Sequence, residues 1–208
     1  MLKNILAFIF LMRLFLTRHG ETVENRDSIL QGWLPGHLTT KGKKQARLVA
    51  KRLKDVKFDY IYTSDLKRCV DTSKIIAKYH KNSKFVKEKA LRERNFGRIQ
   101  GMRHSDIDWN SNFETDTSRS PPNGESYEKM FSRIKSFYKK LLKKHSKDSI
   151  LIVGHGGSIM LLNGLVNDYS LKKSISWGEG LKNTAISEYQ IDKNGKAKPV
   201  CLNCTKHL

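Results

Sequence analysis

The stretch Leu14-Phe15-Leu16-Thr17-Arg18-His19-Gly20-Glu21-Thr22 decides how the rest of the chain is read. Its apolar, β-prone run stops abruptly at an Arg-His pair followed by glycine. That is the pattern of a buried strand delivering two polar side chains at its carboxyl end, where open α/β sheets hold their ligand sites. An arginine beside a histidine suits phosphate chemistry: the guanidinium fork grips phosphoryl oxygens in a bidentate manner while a neutral imidazole nitrogen attacks phosphorus. Gly20 leaves room for the backbone and a phosphate to come close.

Two more junctions of this kind lie downstream. A strand near 60–63 runs through Ser64-Asp65 into a helix with Arg68 in its first turn and Cys69, Ser73 and Ile76 facing the core. A strand over 149–153 reaches Gly154-His155-Gly156-Gly157 and a helix over 158–166. Thr39 and Thr40 cap a helix on which Ala46, Val49, Ala50 and Leu53 recur at three- and four-residue spacing. A third short strand at 85–87 precedes the loop carrying Glu93, and 21–37 is a polar loop long enough to fold over a ligand. Residues 110–124 are dense in Ser, Asn, Asp, Thr and Pro and read as loop. Ser126 starts a long helix whose stripe from Tyr127 through Met130, Ile134 and Phe137 to Leu141 is core. The tail is a hairpin, 185–191 and 198–202, turning at Lys193-Asn194-Gly195.

Strand-helix alternation predicts an α/β fold, a three-layer α/β/α arrangement with a mainly parallel central sheet and helices on both faces. In such a sheet Arg18 with His19, Arg68 and His155 converge on one edge. The order of the strands does not follow from the pattern.

Arg18, His19, Gly20, Glu21, Thr22 and Asn25 together resemble the signature of the histidine phosphatase superfamily, the fold shared by cofactor-dependent phosphoglycerate mutases and many phosphatases. The resemblance continues in order through Gln31-Gly32-Trp33, Ser64-Asp65-Leu66-Lys67-Arg68, Leu91-Arg92-Glu93-Arg94-Asn95-Phe96-Gly97, Pro122-Asn123-Gly124-Glu125-Ser126 and Gly154-His155-Gly156-Gly157. It therefore spans 12–208 as a single phosphoglycerate mutase-like domain. It implies that His19 is the nucleophile forming a phosphohistidine, with Arg18 and Arg68 disfavouring imidazolium. Arg18, Arg68 and His155 would hold the peripheral phosphoryl oxygens, and Glu93, placed by the family match, would protonate the leaving oxygen and then activate water. A salt bridge from Glu93 to Arg92 or Arg94 is the ordinary alternative; Glu21 and Glu125 are weaker acid candidates. Asn25, Gln31, Gly32 and Gly156 are the expected substrate contacts.

The superfamily resemblance alone does not separate hydrolysis from mutase activity; two details of this sequence favour hydrolysis. The segment between Gly101 and Gly124 is short and offers only Arg103, His104 and Arg119, whereas mutases carry a longer basic insertion there; His155 is followed by Gly156-Gly157, where mutases usually have Gly-Asn. The expected activity is phosphoric monoester hydrolysis on a small anionic phosphate ester, with phosphoglycerate mutase and a non-catalytic phospho-ligand or RNA-binding protein as alternatives. One departure is plain. The family often has Gly-Trp-x-Asp-x-Pro-Leu-Thr, and this chain has Gly32-Trp33-Leu34-Pro35-Gly36-His37-Leu38-Thr39, which bears on the loop's shape and its substrate contacts and on none of the proposed catalytic groups.

Composition bounds the rest. The 208 residues, 38% hydrophobic, suit one core. The balance of 40 basic to 20 acidic residues gives +20, a surface that attracts anions in general; a small phosphorylated substrate is expected and no specific nucleic-acid partner. Three cysteines suggest a reducing, cytoplasmic compartment. Cys201-x-x-Cys204 with His207 lacks a fourth ligand of suitable spacing, and Cys69 belongs to a distant helix, so no metal and no cofactor is assigned. Residues 1–11 read as an extension of doubtful order, too short to span a bilayer, and stable membrane insertion is not expected. Oligomeric state is not fixed, a homodimer being compatible with everything above.

Overall fold

The structure, a computed structural model, describes residues 10–109, 116–177 and 180–208. Six strands form one sheet: β1 (Phe10–Arg18), β2 (Tyr60–Thr63), β3 (Lys84–Lys87), β4 (Ser149–Gly154), β5 (Ile186–Asp192) and β6 (Ala197–Cys204), in spatial order β3-β2-β4-β1-β5-β6. The first four in that order run parallel, and the hairpin β5-β6 is added antiparallel against β1. The helices are α1 (Val23–Arg26), α2 (Thr40–Leu53), α3 (Lys67–Ala77), α4 (Tyr127–Lys144), α5 (Gly156–Val166) and α6 (Leu171–Trp177).

The two-residue period of the strands sorts the core into two layers. Leu14, Leu16, Ile150, Ile152, Tyr62 and Tyr189 pack with Ile134 and Phe137 of α4 and Leu161 and Leu162 of α5. Phe15, Leu151, Val153 and Ile61 pack on the other face with Val49, Ala50 and Leu53 of α2 and Cys69 and Ile76 of α3. A continuous apolar run in β1 and β4 is what a strand covered on both faces requires. Truncating one of these fully buried side chains, such as Leu16, would cost about 2–5 kcal/mol.

Several sequence expectations change in detail. β1 begins at Phe10, which pairs with Asp192, so the last two residues of the presumed extension belong to the sheet; residues 1–9 lie outside the described residues. The 21–37 segment is not all loop: Thr22 caps the single turn of α1 in a reciprocal capping box with Asn25. α5 starts at Gly156, two residues earlier than the apolar run indicates. Of the expected loop at 110–124, residues 110–115 lie outside the described residues. Gly20 serves helix packing: a Cβ there would sit 2.5 Å from the carbonyl oxygen of Gly42 on α2, so the close approach it permits is to backbone. Thr39 caps α2 through Gly42 N–H (2.9 Å), a contribution of about 1 kcal/mol.

Candidate active site

Parallel strands bring their carboxyl ends to one edge, and there β1 ends at Arg18, β4 at Gly154, and β2 leads through Ser64 to the first turn of α3. The ladder continues one step past β1, His19 N–H donating to Gly154 O at 3.0 Å. Arg18, His19, Asn25, Gln31, Gly32, Arg68 and Glu93 line one cavity of about 240 Å³. Two predicted residues lie outside it. His155 sits behind His19, the ring centroids 5.3 Å apart, and Gly156 does not line the cavity whereas Gly157 does.

His19 is buried, 2% exposed. Its Nδ1 lies 2.8 Å from Gly20 O. A carbonyl can only accept, so Nδ1 carries the proton and Nε2 keeps its lone pair. Burial, then the Arg68 and Arg18 guanidinium groups, hold this imidazole well below its ordinary value near 6.5. The ring is therefore neutral at physiological pH, as a nitrogen nucleophile must be. Asn183 Nδ2 donates to His19 O at 2.8 Å and so holds the backbone of the same residue.

Arg68 is almost wholly buried. Its Nη1 and Nη2 donate to Leu34 O (2.9 Å) and Gly32 O (2.7 Å). Each nitrogen retains a second N–H. The 32–38 loop that departs from the family pattern thus grips this arginine by its carbonyls, which needs no particular side chain at positions 35 and 37. Arg68 Nε donates to His155 Nδ1 at 3.0 Å, and His155 Nε2 lies 2.9 Å from Ser64 Oγ. Because arginine can only donate, Nδ1 accepts and the His155 proton sits on Nε2. Both ring nitrogens are thereby taken by protein, so His155 as placed here orients Arg68 and does not present a free donor to a phosphoryl oxygen. Burial, Arg68, His19 and Arg18 hold it well below the usual histidine value. Cys69 packs its thiol against the same ring, Sγ to Nε2 3.3 Å, and burial pushes that thiol up.

Arg18 Nη1 donates to Leu181 O (2.9 Å), while its buried Nε has no hydrogen-bond partner. A buried guanidinium N–H without an acceptor is a cost that an anion in the cavity would relieve.

Glu93 makes no pair with its sequence neighbours. Arg92 forms a two-pronged ion pair with Asp65 (2.7 and 2.6 Å) and stacks on Trp33. Arg94 is buried between the Phe96 and Tyr127 rings with Nε on Glu125 O. The Glu93 carboxylate is positioned instead by backbone, Oε1 accepting from Arg94 N (2.8 Å) and Oε2 from Gly157 N (3.0 Å). A Cβ at Gly157 would collide with Glu93 Oε1; at Gly156 the nearest atoms would be 3.7–3.8 Å away. The weaker acid candidates are occupied: Glu21 with Lys41 and Thr39, Glu125 with Arg133.

Sequence reasoning missed Gly157, Asn183, Arg94, His104, Tyr127 and Met160 as parts of the site. Gly157 lies inside the Gly154–Gly157 motif, Arg94 is in sequence an alternative salt-bridge partner of Glu93, and Tyr127 packs against the core, as its place in the α4 stripe predicts, while also lining the cavity. Asn183 carried no local signal. Among the described residues no group of three His, Cys, Asp or Glu is placed to hold a metal ion; His207 faces Thr184 O. No helix among them is long and apolar enough to cross a membrane.

Comparison with known proteins gives a consistent result. A family model described as histidine phosphatase superfamily (branch 1) matches residues 14–205. The chain is 34% identical over 199 residues to a phosphoglycerate mutase of Schizosaccharomyces pombe, covering 88% of this chain and 92% of that one. It is 29% identical over 215 residues to a metal-independent phosphoserine phosphatase of Arabidopsis thaliana, 88% of each. Among solved structures it superposes on an alpha-ribazole phosphatase from Shigella flexneri with a TM-score of 0.83 at 28% identity, covering 93% of this chain and 96% of that one.

Proposed function

Since the chain belongs to the histidine phosphatase superfamily, we propose that it hydrolyses a small anionic phosphate monoester through a phosphohistidine on His19, without a metal ion. The observation that carries this reading is the state of His19: Nδ1 is committed to Gly20 O, leaving Nε2 as the open nitrogen of a ring lining the same cavity as Arg18, Arg68 and Glu93. In the first displacement Nε2 bonds to phosphorus as the ester P–O bond breaks. Arg18 Nε and the free N–H groups of Arg68 take the developing charge on the peripheral oxygens, assisted by Asn25. Glu93 gives its proton to the leaving oxygen. In the second step Glu93 takes a proton from water, whose oxygen attacks phosphorus and releases His19 with inorganic phosphate.

At about 240 Å³ the cavity is smaller than the 300 Å³ or more typical of drug-sized ligands, which supports a compact leaving group. The cations that neutralise the phosphate are arginines, so the scheme calls for no metal. The test is phosphate release from a panel of phosphomonoesters in EDTA, including an aryl phosphate, phosphoserine and 3-phosphoglycerate, with His19→Ala in parallel. Release that EDTA spares and the substitution abolishes is expected. Conversion of 3- to 2-phosphoglycerate without phosphate release would overturn hydrolysis in favour of mutase activity, and release requiring a divalent cation would overturn metal independence.

A further inference from the structure

Cys201-Leu202-Asn203-Cys204 closes β6 and takes no part in the scheme above. In a regular strand two residues three apart face opposite sides of the sheet. Here Cys204 opposes Ile186 and Cys201 opposes Glu188, so three steps on β6 are set against two on β5. Asn203 in the left-handed region, φ 45°, lies within the irregularity. Both cysteines consequently line the same small cavity of about 140 Å³, beside Phe15, Leu53 and Val56. Their partners on β5 are separated by two strand steps, roughly 6.6 Å, at the upper end of the Cα separation that a disulfide spans. Both thiols are free and partly exposed, in contrast to buried Cys69.

The residue between them is tied to the active site. Asn203 N donates to Ser187 Oγ (3.1 Å), its Oδ1 accepts from Lys182 N (3.3 Å), and its Nδ2 donates to Gly180 O (3.3 Å). The adjoining residues hold the catalytic edge: Leu181 O accepts from Arg18 Nη1, Asn183 donates to His19 O, and Thr184 N donates to Arg18 O at 3.0 Å.

We propose that Cys201 and Cys204 are a thiol pair that a low-molecular-weight disulfide oxidises to an intrachain disulfide, and that closing it moves Asn203 and, through 180–184, lowers turnover at His19. The effect on turnover rests on the function proposed above; the disulfide itself does not. Cys204 thiolate attacks one sulfur of the small disulfide and expels one thiolate. Cys201, whose thiol burial pushes up, then loses its proton to solvent, attacks the Cys204 sulfur of the mixed disulfide and expels the second thiolate. Two protein thiols give up two electrons, and the small disulfide leaves as two thiols.

The experiment treats the full chain with oxidised glutathione, then alkylates it under denaturing conditions for intact-mass analysis. Alkylatable thiols are expected to fall from three to one, with no glutathione retained. Phosphate release should fall about fivefold or more, recover with dithiothreitol, and be insensitive to oxidation in Cys201→Ser and Cys204→Ala. Amide exchange at 180–184 should change on oxidation, a readout that holds even if no phosphatase substrate is found. Three alkylatable thiols after oxidation, a stable glutathione adduct, or a disulfide-linked dimer would overturn the pairing. A closed disulfide with unchanged exchange at 180–184 and unchanged turnover would overturn the coupling.

Discussion

Two buried histidines stand at opposite ends of the sheet, and what holds each differs. His145, 1% exposed, follows α4 at the amino end of β4; its Nδ1 meets Asp148 (2.7 Å) and its Nε2 meets the Tyr62 hydroxyl (2.8 Å). His19, at the carboxyl end of β1, has one nitrogen on a backbone carbonyl and the other open to a cavity, with two guanidinium groups for neighbours. Burial is equal; partner chemistry is not. A histidine with both nitrogens used joins elements together, and one with a single nitrogen used, among cations, is left able to react.

The largest test of that contrast is His19→Ala, expected to lower kcat by at least about 10³-fold while leaving the melting temperature nearly unchanged. His145→Ala should do the reverse. It leaves Asp148 and Tyr62 without their partner, costs about 2–3 kcal/mol, and lowers the melting temperature by roughly 5–10 °C with turnover retained; thermal unfolding and phosphate release on the two variants separate the roles. Next is the positioning of Glu93. Gly157→Ala should push the carboxylate aside and reduce kcat by about 10–100-fold on alkyl phosphates and less on an aryl phosphate, whose leaving group needs no proton. Gly156→Ala should be nearly silent in both assays. The smallest effect is on pH. His19 and His155 bind a proton in the unfolded chain near 6.5 but not when folded, so stability is full above that pH and is lost as pH falls below it toward their depressed folded values. Melting scans at pH 7.5 and 5 should show that loss, and His19→Asn should show less of it.

Much of this was readable from the residues. Apolar runs ending in Arg18-His19 and in Gly154-His155, and the Ser64 to Arg68 turn, gave the parallel edge because a two-sided strand must be apolar throughout and its ligands must lie at its end. Residue type did not reveal how donors are spent. Arg68 and His155 both look like phosphate ligands in sequence, yet the fold turns them on each other, a long-range pairing that no local pattern encodes. The same limit hid Asn183, which lies 164 residues from its partner His19. Gly156 and Gly157 are equivalent as letters, and the Glu93 side chain, with Met130 Cε beside it, makes Gly157 alone intolerant of a Cβ.

Of the described strands β1 is synthesised first, and its two neighbours, β4 and β5, come fourth and fifth. At 5–20 residues per second the ribosome needs roughly 10–35 s to pass from His19 to the end of β5. Until β4 has been made Leu14, Phe15 and Leu16 have no sheet partner, and until β5 follows, one edge of the apolar strand that carries the proposed nucleophile stays unpaired. The site cannot function on a nascent chain, and premature release or a pause before position 186 would leave an aggregation-prone edge for the cell's chaperones to cover.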